Sequence, residues 1–183
     1  MLIDSSIHRP IERTLMSTHR SATHSGTWYS SNSGVLIQQI DSWFHSAVLP
    51  DTVTNNIQLC HGILSPHAGY TYSGPTAAYS YNILYQKLIQ NKDSISNIFI
   101  LGPSHHYYTK KCEVTQYAYY DTPLGNLSIN TQLCHELVQN NSTQFKYMNT
   151  SVGMCVSVYL YMCVYLYVLQ LLTKPVLVYH TNR

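Results

Sequence analysis

Charge is what this chain has least of. Asp, Glu, Lys and Arg together make up 10% of its 183 residues, well under the usual quarter. The formal net charge is +2, and no basic block exceeds the pair Lys110-Lys111. A nucleic-acid footprint needs a basic stripe or patch, so that class of partner is excluded. Zinc-type spacing is also lacking. The five cysteines, at 60, 112, 134, 155 and 163, form no C-x-x-C pair. An odd count with no secretory leader predicts reduced thiols and a cytoplasmic setting. The first twenty residues hold Asp4, Arg9, Glu12, Arg13 and Arg20 and lack an apolar h-region. Sequons such as Asn126-Leu127-Ser128 are then idle.

The one long charge-free run lies near the C-terminus. No Asp, Glu, Lys, Arg or His stands between Lys146 and Lys174, and Val, Tyr, Met and Cys supply most of residues 152–168. Three readings compete. The length of the 152–172 tract suits a membrane anchor, although its tyrosines belong at an interface and not in mid-span. The Val/Tyr content suits buried strand, at a length unusual for a small sheet. The third reading is favoured: these four residue types are what a translated GT/AT dinucleotide repeat encodes, so 151–183 reads as an aberrant low-complexity tail.

Ahead of that tail the pattern is α/β. Residues 1–20 are polar and aperiodic and read as a disordered arm, with Met16 as an alternative start. Over 33–48, Leu36, Ile40, Trp43, Phe44 and Ala47 recur at helical spacing, with Ser33 as the expected N-cap. The apolar run 57–64 predicts a strand, and 97–101 predicts a second. Between them Gly74-Pro75 reads as a helix start, with Ala77, Tyr81, Leu84 and Leu88 as its buried stripe. Residues 114–120 predict another strand, 122–126 a turn into 127–129, and Asn130 caps a short helix bearing Leu133, Leu137 and Val138.

Strand, helix and strand make a β-α-β unit, in which both strands point the same way. Each is followed by a histidine: Ser65-Pro66-His67-Ala68-Gly69-Tyr70 after the first and Gly102-Pro103-Ser104-His105-His106 after the second. Both rings are therefore expected at the carboxyl edge, where open α/β sheets bind ligands. Two imidazoles there can converge on one metal ion; the plain alternative is that each caps a strand end by hydrogen bonding. A third ligand has no spacing argument: Asp121, Glu113, Cys60 and Cys112 are merely nearest in sequence. His106 reads as a structural or solvent-facing neighbour, and His24, His45, His61 and His135 stand alone. A helix beginning near Gly74, helped by Lys110 and Lys111, offers anion capture as another use of the crevice. Gly69 and Gly74 allow close backbone approach or serve as ordinary turn glycines, and Trp28 is either an aromatic wall or core.

Pro66-His67-Ala68-Gly69-Tyr70-Thr71-Tyr72-Ser73-Gly74 and Ile98-Phe99-Ile100-Leu101-Gly102-Pro103-Ser104-His105-His106 resemble the Memo family (mediator of cell motility). His24-x-Gly26-x-Trp28-Tyr29 and Thr122-Pro123-Leu124-Gly125-Asn126-Leu127 fit it in the same order, so the resemblance covers about 20–150. It implies a partial open sheet like that of class III extradiol ring-cleavage dioxygenases, occupying 21–150. It also implies a cytoplasmic signalling adaptor that binds phosphotyrosine peptides of receptors and links them to the cytoskeleton and cell motility. The alternative it carries is a redox enzyme using iron or copper. By motif, His67 and His105 match the metal-binding histidines, and Trp28 and Tyr72 match positions linked to peptide binding. The family's later Glu-x-x-His-like and Asp-Phe-x-His-like segments, and the cysteine completing its metal set, have no counterpart here. The expectation is therefore a truncated isoform with an incomplete ligand set, more adaptor than enzyme, with an exposed sheet edge that limits solubility.

Overall fold

A computed structural model describes residues 18–91, 96–105 and 108–149, together with the backbone of 176–181. His106, the first seventeen residues of the expected arm and residues 151–175 of the tail lie outside these. No helix among the described residues is long and apolar enough to cross a membrane; the proposed 152–172 anchor falls outside them.

Among the described residues, four α-helices and two small sheets make an α/β fold. Helix α1 is Ser33–Ser46 and α2 is the short Asp51–Thr54. Long α3 is Tyr70–Gln90 and α4 is Thr131–Asn140. Asn32, not Ser33, caps α1: its Oδ1 accepts the Val35 N–H at 3.0 Å. Leu36 and Ile40 face fully inward from that helix. Asn130 caps α4 as expected, accepting the Leu133 N–H at 3.0 Å. Leu133, Leu137 and Val138 pack on the core from it.

Helix α3 starts a turn earlier than Gly74-Pro75 suggests. Its N-cap is Gly69, and Pro75 lies inside it. The Trp28 carbonyl accepts the Tyr70 N–H at 2.9 Å, which satisfies a donor of the first turn and lets the helix begin there. Gly74 is thus interior and buried, and the helix N-terminus expected there lies instead at Gly69–Tyr70. Ala77, Tyr81 and Leu88 are buried along α3, as the stripe predicts. Trp43 meets Tyr70 edge-on, and Phe44 meets Tyr85 likewise, where α1 crosses it.

The larger sheet has the order β2-β7-β3-β6. Strand β2 is Ile98–Pro103, β3 is Cys112–Val114, β6 is Phe145–Tyr147 and β7 is Val176–Thr181. Strand β7 runs parallel to β2, from Ile98↔Val176 to Pro103↔Thr181, and antiparallel to β3. A stretch read as tail therefore forms a central strand, because its Val-Leu-Val-Tyr pattern has high β propensity. The smaller sheet is β1-β4-β5, with β1 at His19–Arg20, β4 at Tyr119–Thr122 and β5 at Gly125–Ser128. The strand expected over 114–120 is thus two strands in different sheets, and His19–Arg20 belong to the fold and not to an arm. Arg20 is buried there: it donates to the Tyr120 hydroxyl at 2.8 Å and lies 4.8 Å from that ring's centre.

The larger correction concerns 57–64. Ile57–Leu59 form a 3-10 turn, and the chain from Cys60 to His67 is irregular and belongs to neither sheet. Its ties run to α3. The Ser80 hydroxyl donates to the Leu64 carbonyl at 2.8 Å, and Lys87 Nζ donates to the Gln58 carbonyl at 2.6 Å. The expected β-α-β unit is therefore a segment-helix-strand unit, with β2 at the end of its sheet.

Candidate functional site

His67 ends the irregular segment three residues before α3 begins, and His105 follows β2. Their Nε2 atoms are 3.1 Å apart. The rings are nearly parallel, at 14°, with centres 5.1 Å apart. The structure thus brings the two histidines together at the end of β2, although only one of them follows a strand. The separation is short enough for both nitrogens to bond one ion at about 2.1 Å each.

Trp28 reaches the same place through the backbone. The turn that holds it is closed by the Gly26 N–H donating to the Tyr29 carbonyl at 2.8 Å, and Gly26 sits at φ 85°, a conformation natural to glycine. A Cβ on Gly69 would lie 3.5 Å from the Trp28 carbonyl oxygen, an ordinary contact distance, so Gly69 packs on the Trp28 turn without a close approach that only glycine allows. The His24 ring meets the indole edge-on at 5.4 Å; this histidine does not stand alone. Tyr72, in the first turn of α3, is 84% exposed, and Trp28 is 37% exposed. Two accessible aromatic rings thus flank the stretch between His67 and α3.

The sequence neighbours considered as a third ligand are committed elsewhere. Asp121 pairs with His19 at 2.7 Å. Glu113 is buried and pairs with Lys146 at 2.7 Å. Cys60 points its thiol at the Gly62 carbonyl, and Cys112 opens β3. Among the described residues no group of three or more His, Cys, Asp or Glu could hold a metal ion. Lys111 donates to the Ser142 carbonyl at 2.6 Å, on the α4 side of the fold.

One feature of this region was not read from sequence. Between the 60–65 segment, α3 and β2 lies a cavity of about 790 Å³, lined by Ile63, Leu64, Leu84, Leu88, Ile98 and Ile100 among others, with Lys87 also on its wall. Its β2 wall falls on the apolar run 97–101, which predicts a strand and carries no separate signal of a cavity.

A family model described as Memo-like protein matches residues 20–154. The MEMO1 family protein MHO1 of Saccharomyces cerevisiae is 41% identical over 141 residues, which cover 74% of this chain and 39% of that protein. Protein memo-1 homolog of Caenorhabditis elegans is 36% identical over 118 residues, 64% of this chain and 30% of that protein. Protein MEMO1 of Homo sapiens is 34% identical over 118 residues, 64% of this chain and 36% of that protein. The chain thus matches less than two fifths of the length of each of these relatives.

Proposed function

The chain belongs to the Memo-like protein family, and from that premise we propose that its histidine mouth recognises phosphotyrosine-containing peptides. The parent activity would be that of a cytoplasmic adaptor linking receptors to the cytoskeleton and cell motility. The observation that supports this most is the pairing of His67 with His105 at 3.1 Å, next to the Trp28–Gly69 contact and the exposed ring of Tyr72. Imidazole N–H groups and a phosphate form charge-assisted hydrogen bonds, while aromatic faces stack on a tyrosine ring. Nearby carboxylates would repel the phosphate, and the two considered from sequence are held in other ion pairs.

Titrating the purified chain with a phosphotyrosine peptide and its unphosphorylated twin tests this. Binding that requires the phosphate and drops in both His67→Ala and Trp28→Ala is the expected result. Equal binding in the variants would remove the pocket assignment.

The nitrogen separation favours a second reading, in which His67 and His105 would hold iron or copper. Bound there, such an ion would supply redox chemistry. The described residues contribute two donors, and their part is to present both Nε2 atoms to one side. Elemental analysis of the purified chain is decisive: metal near zero, unchanged in His105→Ala, sinks this reading.

A further inference from the structure

The Trp28 indole beside the histidine mouth stands on a turn and not on a helix or strand. It is exposed, and a loop side chain that its ligand must first bring to order gives up affinity in the process. What holds this ring in advance therefore bears on binding. Among the described residues the one ring that meets the indole is His24, edge-on at 74° with centres 5.4 Å apart. Aromatic pairs favour that arrangement. His24 is half-buried, and its Nδ1 is hydrogen-bonded to the Thr23 hydroxyl at 3.1 Å, which fixes the imidazole plane against which the indole rests.

The backbone of His24 has a separate duty. Its carbonyl accepts the Thr27 and Trp28 N–H groups at 3.2 and 3.0 Å, and the Thr27 hydroxyl at 3.1 Å. These bonds close the turn, and the Trp28 carbonyl in its place accepts the Tyr70 N–H. None of them uses the imidazole, so a substitution at position 24 leaves them intact. Turn and ring are thus separable: the carbonyl places the Trp28 backbone, and the imidazole addresses the indole alone.

We propose that His24 is a positioning residue of the histidine mouth, presetting the Trp28 indole to receive the aromatic ring of a phosphotyrosine. The identity of the received ring rests on the phosphotyrosine reading; the orienting of the indole rests on the ring contact itself. Holding one large side chain in its bound arrangement before the ligand arrives raises affinity about two- to tenfold. The effect runs through Trp28 and requires no contact between His24 and the peptide.

Fluorine NMR of the full chain labelled with fluorotryptophan reads the indoles directly. The sequence has two tryptophans, Trp28 and Trp43, and the Trp28 signal is the one lost in Trp28→Phe. In His24→Ala and His24→Gln that signal should move and sharpen, because the indole loses the ring current and the restraint of its neighbour. His24→Phe restores a ring without the bond to Thr23 and should return the linewidth most of the way. The Trp43 signal reports the contact of α1 with α3 and should stay in place throughout, which separates a freed indole from a loosened fold. Affinity for a phosphotyrosine peptide should fall about two- to tenfold in the Ala and Gln variants and recover in His24→Phe. A Trp28 signal unmoved in His24→Ala, or moved with no change in affinity, would overturn the positioning role. So would a Trp43 signal that shifts together with it, since His24 would then serve the fold at large. A parent chain that binds no phosphotyrosine peptide removes the phosphotyrosine reading, and the Trp28 and Trp43 signals alone then decide whether His24 orients the indole.

Discussion

Gly74 lies against the indole of Trp43, so closely that a Cβ at that position would fall within 2.6 Å of ring atoms Cε3 and Cη2. Glycine is placed there by helix packing, where α3 crosses α1, and not by a ligand. The indole cannot step aside freely, because Tyr70 meets it edge-on.

Gly74→Ala is therefore expected to destabilise. Removing a helix-interior glycine gains about 0.5–1 kcal/mol. Forcing a methyl group into a packed ring contact costs about 1–3 kcal/mol, so the loss wins. A urea midpoint equal to or above that of the parent chain would show that α1 and α3 can separate at little cost.

Lys146→Ala removes the ion-pair partner of the buried Glu113 carboxylate. The lysine is half in solvent, which tempers the effect; about 1–3 kcal/mol of lost stability is expected. The double variant Glu113→Met with Lys146→Met should recover much of it, since an apolar pair leaves no buried carboxylate short of an ion-pair contact. A double variant less stable than Lys146→Ala would contradict this.

Alkali should unfold the chain through two buried acids. Burial pushes the Cys134 thiol up to about 11 from its ordinary 9.0. Burial likewise raises the Tyr120 hydroxyl, against a smaller opposing effect of Arg20. Both groups have folded values above their unfolded ones, so their stabilising contribution is whole below pH 9 and is lost as pH climbs toward 11 and beyond. Unfolding midpoints measured from pH 8 to 11 should fall, and Cys134→Ala should flatten the earlier part of that decline. A flat profile in the parent chain would dismiss the idea.

Asn32→Ala should cost about 1 kcal/mol by leaving the Val35 N–H without its cap, whereas Asn32→Gly should cost only a few tenths. Ser33→Ala serves as the contrast, because Ser33 is the first helical residue and not the cap. Chemical denaturation of the three variants ranks them; a larger loss in Ser33→Ala would reverse the assignment.

Residues with strictly local rules were legible in advance. The stripe Leu36-Ile40-Trp43-Phe44 gives one helix face whatever surrounds it. Asn130 before Thr131 signals a cap through its own short side chain. Ile98-Phe99-Ile100-Leu101, β-branched and aromatic, suits only a strand. The motif around His67 and His105 also sufficed to nominate both rings. The route by which they meet was misread. An apolar run such as Ile57-Gln58-Leu59-Cys60-His61-Gly62-Ile63-Leu64 is compatible with strand, turn or loop, and periodicity alone cannot choose.

Local propensity and capping chemistry, both written in near neighbours along the chain, determined the helices, the edge strand and the two candidate imidazoles. Partners distant in sequence decided the rest. The carbonyl of Trp28 set where α3 begins. Ser80, through Leu64, and Lys87, through Gln58, drew residues 58–64 onto that helix. Residues 176–181 became a central strand by finding β2 and β3 on either side. Such pairings depend on which groups meet once the chain has closed its long loops, and no window of neighbouring residues contains that information.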